Sequence, residues 1–188
     1  MTCLHRLLAG SLLLALYGCP AVYVDRPIGE DPIKLDAADW DGTWIGSDAA
    51  LVIRVKDGEN GILQIAWIET EGEQFIMKTG TAYVRQSSGQ TLISLRDEET
   101  TTTRYLWGVL SRTDEQMVVL APNPDKFAAL LESGRLPGRI DPCSNDKTAD
   151  CDVYLESLEP LHLELILSEE EGFLFDWSEP LVLRRILP

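Results

Sequence analysis

The chain has 188 residues, 31 acidic against 16 basic side chains, and a formal charge of −15. Hydrophobic residues make up 45% of it and charged residues 25%, which is globular composition rather than disorder and suits one domain with its own core. The acidic balance argues against nucleic acid as a partner, because phosphate binding needs a basic face.

At the amino end, Arg6 and the terminal amine supply positive charge, and Leu7 to Tyr17 is an uncharged run. A membrane-spanning helix needs about 20 apolar residues, so this run reads as the core of a secretory signal. It ends in Leu16-Tyr17-Gly18-Cys19. That sequence resembles the bacterial lipobox, with Tyr17 bulkier than the pattern usually holds. The resemblance implies removal of residues 1–18 and lipidation of Cys19, the rival reading being ordinary signal cleavage with Cys19 unmodified. Anchoring by more than one acyl chain would be stable. Pro20 follows the cysteine where an aspartate would favour the inner membrane, so the expected site is the periplasm-facing cell envelope, leaning to the outer membrane.

Residues 19–36 contain Pro27 and Pro32 and little periodicity, and read as a lipid-anchored, proline-stiffened tether. A single β-rich domain is expected over 37–188, opening with Trp40-Asp41-Gly42-Thr43-Trp44. Leu51, Ile53 and Val55 then alternate with polar residues, Asp57-Gly58 and Asn60-Gly61 supply a turn, and Leu63, Ile65 and Trp67 alternate again. This is a hairpin signal. Further strands are expected over Gln74 to Gln86, with a bulge or bend at Gly80, and over Thr91 to Arg96, Arg104 to Ser111 and Gln116 to Leu120.

One helix interrupts the strands, with Asn123 as its cap, Pro124 at its first position and Gly134 closing it. Arg135 to Asp152 reads as an irregular loop. An oxidising compartment would pair Cys143 with Cys151 across it. Calcium binding by Asp141, Asn145, Asp146, Asp150 and Asp152 is the rival reading, but the spacing of a calcium loop is missing. Alternation of Leu161, Leu163, Leu165 and Leu167 predicts another strand, as does the run through Phe173, Phe175 and Trp177, and Leu181 to Leu187 ends the chain. The fold class is therefore mainly β: an antiparallel meander closing into a small barrel, or a sandwich, with one short inserted helix.

Gly42-Thr43-Trp44 resembles the glycine-x-tryptophan start of lipocalin-like, or calycin, barrels. The resemblance implies that Trp44 closes one barrel end with an arginine of the last strand, Arg184 or Arg185, across its ring. Simple core packing is the alternative role for Trp44. The stretches from Phe127 to Pro137 and from Phe175 to Leu181 are similar to segments of proteobacterial lipoproteins without a known activity.

Catalytic patterns are thin. Signal removal leaves His162 as the one histidine, read as a solvent-facing or hydrogen-bonded strand residue. The serine-nucleophile elbow, phosphate loops and zinc spacings are missing, and acidic runs such as Asp97-Glu98-Glu99 fall in apparent turns. The expectation is no enzyme, no cofactor and no metal, but a lipid-anchored binding or accessory module for another envelope protein. The alternative is a carrier of a small apolar ligand, with Trp67, Tyr83, Tyr105, Trp107, Phe173 and Phe175 as inward-facing candidates.

Overall fold

A computed structural model describes residues 20–47, 49–71, 74–98, 103–141, 151–168 and 174–186. In chain order its elements are β1 (Val22–Val24), β2 (Asp31–Pro32), α1 (Ala37–Trp40), β3 (Gly42–Ile45), β4 (Ala50–Asp57) and β5 (Ile62–Glu71). Next come β6 (Gln74–Ser87), β7 (Gln90–Asp97), β8 (Tyr105–Arg112), β9 (Gln116–Leu120) and α2 (Pro124–Glu132). The last are β10 (Gly138–Ile140), β11 (Val153–Leu155), α3 (Pro160–Leu167) and β12 (Leu181–Ile186).

Eight strands form a closed antiparallel barrel. β3 to β8 lie side by side in sequence order, β8 pairs β9, β9 pairs β12, and β12 returns to β3. Closure satisfies the edges that an open sheet of this size would expose. The expected alternation holds across β4 and β5, where Leu51 faces Trp67, Ile53 faces Ile65 and Val55 faces Leu63. Their turn is held by Asn60, whose side chain donates to Asp57 over 2.7 Å, and by Gly61 at φ +67. Ser88 and Gly89, both at positive φ, make the two-residue turn between β6 and β7.

Of the bulge or bend expected at Gly80, the bulge is excluded, because the β5–β6 register runs through it without a shift. It makes room instead. A Cβ there would lie 2.8 Å from the Arg96 carbonyl oxygen and 3.1 Å from the Trp67 ring. Gly108 has a comparable role at the seam of the barrel. Before it, β8 pairs β1 through Tyr105 and Leu106; after it, β8 pairs β9 from Val109 to Arg112. A Cβ at 108 would meet the Leu120 carbonyl oxygen at 2.5 Å.

There are two cores. Inside the barrel lie Trp44, Ile53, Leu63, Ile65, Trp67 and Leu183 with their neighbours. On its outer wall, Leu92, Tyr105 and Trp107 are covered by β1, α2, β11 and α3 through residues such as Val22, Phe127, Leu155 and Ile166. Apolar side chains on both faces of β7 and β8 are what two cores require.

Other expectations need correction too: the irregular loop expected over Arg135 to Asp152 contains β10, Gly138–Ile140, which pairs antiparallel with β11. The tether expected over 19–36 is, from Val22 onward, part of the domain: β1 is buried, parallel to β11 and antiparallel to β8. Ile28 and Leu35 are buried too. Residues 161–167 are helical, not extended. Pro160 occupies the first helical position, and His162 Nδ1 accepts the Glu159 backbone N–H over 3.0 Å, which caps the end. Leu163 and Ile166 face the outer core while Leu161 is 69% exposed, a helical rather than an alternating pattern. Finally, 174–180 contain no strand beyond a Pro122–Phe175 bridge, and Trp177 is exposed. Three described helices thus replace the one expected. α2 is as expected, with Asn123 accepting the Lys126 backbone N–H over 3.2 Å and Gly134 at φ +72.

Candidate functional site

The two ends of the barrel differ because of where α1 and the β3–β4 turn fall. α1 precedes β3 and covers one end. There the Trp44 ring is fully buried, its indole N–H donates to the Trp40 carbonyl over 3.2 Å, and the Arg185 guanidinium lies 5.9 Å from the ring centre. Arg185 also donates to the carbonyls of Ala38, over 2.9 Å, and Asp41, over 2.6 Å, tying β12 to the α1 cap. Arg112, not singled out from sequence, stacks on Trp40 at 4.6 Å and donates to the Asp39 carbonyl. Arg184 is exposed and faces away from this cluster, so of the two expected arginines only Arg185 joins it.

Towards the opposite end the barrel is hollow. A cavity of about 340 Å³ is walled by Leu51, Ile65, Leu95, Leu110, Met117 and Leu183, among others, and reaches Pro20, Ala21, Ala49, Pro122 and Glu179 at its rim. Among the described residues of its walls, Glu179 is the one that is ionisable. Among the described residues no group of histidine, cysteine and carboxylate side chains is arranged to hold a metal.

The aromatic candidates separate. Trp67 belongs to the inner core and borders the cavity, whereas Trp107 touches the cavity but packs in the outer core against Phe127 and Phe175. Tyr83, Tyr105 and Phe175 belong to the outer core instead, with Tyr83 and Tyr105 in an edge contact at 5.8 Å and Phe175 against Trp107 at 5.6 Å. The face of β8 had slipped by one residue: Leu106 and Leu110 point inward while Tyr105 packs outside. Phe173 lies outside the described residues. The inner wall is mostly aliphatic, and the alternation of β4 and β5 already marked that face.

Two polar features of the site were not foreseen. Glu69 is 4% exposed, and its carboxylate accepts the Trp67 indole N–H over 2.8 Å. The Trp107 indole N–H, in the outer core next to the site, is buried and has no hydrogen-bond partner among the described residues.

Beyond the rim, β5 and β6 continue as a projecting hairpin. β4 stops pairing β5 at Trp67 and β7 stops pairing β6 at Gly80, but β5 and β6 stay paired out to Glu71 and Gln74. Its outer face carries Ile68, Phe75 and Met77, exposed by 66%, 80% and 70%.

Of the other sequence candidates, Cys19 and Cys143 lie outside the described residues, as does most of the Asp141–Asp152 loop with its calcium alternative. Cys151 is buried at the start of the segment leading to β11. Glu98 accepts the hydroxyls of Thr81, over 2.9 Å, and Thr79, over 3.0 Å, which holds its carboxyl below the usual range and makes it a strand-bracing group. Compared with protein-family models, curated proteins and solved structures, the chain matches none.

Proposed function

We propose that this protein binds a small apolar ligand inside its barrel, as a lipid-anchored component of the bacterial cell envelope facing the periplasm. The observation that carries the reading is the apolar cavity of about 340 Å³. Ligand pockets start at about 300 Å³ and are mostly apolar with few polar groups.

The position of the mouth supports the anchor as well. Pro20 and Ala21 border the rim, so an acylated Cys19 would hold the mouth next to the membrane, where apolar ligands reside. The projecting hairpin starts at the same rim. Among the described residues of the lining, Glu179 is the one side chain that could act as a base.

The test is native mass spectrometry on the full chain carrying Cys19→Ser, recovered from a periplasm without detergent. A reproducible small added mass is expected, and Leu110→Trp, which fills the cavity, should remove it. A bare polypeptide mass would overturn the reading.

One observation favours a second reading, an accessory module for another envelope protein. Ile68, Phe75 and Met77 form an exposed apolar face on the hairpin, and faces of that kind mark interaction sites. Cross-linking from position 75 that captures a defined envelope protein, lost with Phe75→Ser, would support it.

A further inference from the structure

The start of the described chain and the projecting hairpin lie at the same end of the barrel. Ala21 is pinned on both sides: its N–H donates to the Asp152 carboxylate over 3.1 Å, and its carbonyl accepts the Val153 N–H over 2.8 Å. From Val22 onward the chain is a buried strand. Cys19 is two residues before Ala21, and two residues span at most about 7 Å. A lipid on Cys19 would therefore have no tether, and would hold the mouth, bordered by Pro20 and Ala21, against the bilayer.

Exposed apolar side chains gather at this same end. In the β5–β6 register Ile68 faces Met77 and Thr70 faces Phe75, so Ile68, Met77 and Phe75 share one side of the hairpin. The four residues that follow Trp67 in β5 carry the hairpin about 13 Å past the cavity wall. Trp177 belongs to this end too: the Asp176 N–H donates to the Ala121 carbonyl over 2.8 Å, and Ala121 and Glu179 border the cavity. Of the five tryptophans Trp177 alone is exposed, by 62%, while the other four lie at 6% or less. An exposed tryptophan suits the boundary between water and lipid, where its ring is apolar and its N–H stays wet.

Charge selects the lipid. The chain carries −15 and Glu179 stands at the rim. Anionic headgroups would repel this end, and zwitterionic ones would not.

We propose that the mouth end of the barrel docks on a bilayer of zwitterionic lipid, with Ile68, Phe75 and Met77 seated among the headgroups and Trp177 at the membrane surface. This rests on the lipid-anchored reading above and adds the surface that meets the membrane. Docked in this way, the cavity would receive an apolar ligand from the bilayer without exposing it to water.

The test is tryptophan fluorescence of the chain extracted from its host's membrane and reconstituted in phosphatidylcholine vesicles whose acyl chains carry bromine, a contact quencher. Trp177 should lose fluorescence there, and Trp177→Phe should remove that loss. On the Trp177→Phe background, Phe75→Trp should bring the loss back. Ile186→Trp should not, because position 186 is 49% exposed but pairs with Thr43, towards the α1 end. The four buried tryptophans give a constant background that also shows each variant to be folded. Replacing part of the phosphatidylcholine by phosphatidylglycerol should weaken the quenching at position 75. Quenching at 75 no greater than at 186 would overturn the proposal and leave the hairpin to a protein partner. So would quenching that grows with phosphatidylglycerol. The mass of the extracted chain separates the two readings. An unacylated Cys19 would sink the anchor and the docking together, whereas an acylated chain with equal quenching at 75 and 186 would sink the docking alone.

Discussion

The indole N–H of Trp67 donates to the Glu69 carboxylate over 2.8 Å, two residues further along the same face of β5, and Glu69 is only 4% exposed. The pair sits where β5 leaves β4, at the rim of the cavity. It fixes the ring that Gly80 makes room for, and so fixes part of the cavity wall.

Removing the acceptor should therefore cost stability. Glu69→Ala leaves a buried N–H unpaired and is expected to destabilise by about 1–3 kcal/mol, while Glu69→Gln, which retains an acceptor, should cost less. Urea titration of the two variants checks this. Equal stability of Glu69→Ala and the unmutated chain would mean that the bond contributes nothing.

The two neighbouring arginines of β12 should behave differently. Arg185 holds the α1 cap through two carbonyls and covers Trp44, so Arg185→Ala is expected to lower stability by about 2 kcal/mol. Arg184→Ala should leave the melting temperature near its starting value, because that side chain is exposed. Equal effects would contradict the one-sided closure of the barrel.

Gly108→Ala places a methyl group against the Leu120 carbonyl oxygen, where the closest approach would be 2.5 Å. Backbone must shift at the β8–β9 seam, and a loss of about 1–3 kcal/mol is expected, the usual range for forced overpacking. Gly89→Ala is a useful contrast, since its strain would come from φ +76 with open space around it. Thermal melts of both variants separate a clash from a backbone preference.

Acid should weaken the fold through specific carboxylates. Thr81 and Thr79 donate to Glu98 and lower its pKa from the ordinary 4.5, and Ser178 does the same for Asp176 from 3.8. A lowered folded-state pKa means that the unfolded chain takes up the proton first. Stability from these groups is present above the ordinary values and lost as pH falls through the lower, folded ones. Self-repulsion from the −15 charge eases over the same range and opposes the loss. The comparison that isolates the effect is Glu98→Gln, whose stability should fall less steeply below pH 4.5 than that of the unmutated chain. Parallel curves would remove Glu98 from the account.

The proposed Cys143–Cys151 bridge predicts no free thiol in the denatured Cys19→Ser chain once the signal has gone. Reduction should cost about 2–3 kcal/mol by chain entropy for so short a loop. Two titratable thiols in freshly purified protein would rule the bridge out.

Much of the barrel was legible because its strands are long and half-buried. Leu51, Ile53 and Val55, or Leu63, Ile65 and Trp67, announce their face by alternation, and the turn residues between them announce the reversal. α2 was legible from its ends, through Asn123, Pro124 and Gly134. Leu161 to Leu167 was misread because leucine at every second place also supplies a helix with apolar residues all round; Pro160 and the Glu159–His162 cap were the signals that could have decided it. β1 left no local signal. Three residues cannot stand as a strand alone, and their partners in β11 lie more than 100 residues away.

The amino-acid sequence by itself determined the mainly β class, the hairpin faces, the capped helix α2 and the acidic charge balance, because each follows from local periodicity, turn chemistry or composition. Tertiary structure alone decided that β12 closes on β3 and β9, that residues 22–24 belong to the sheet, and which aromatic rings border the hollow rather than the outer core. A cavity is a property of surfaces that meet from distant parts of the chain, and its volume depends on how eight strands curve around it.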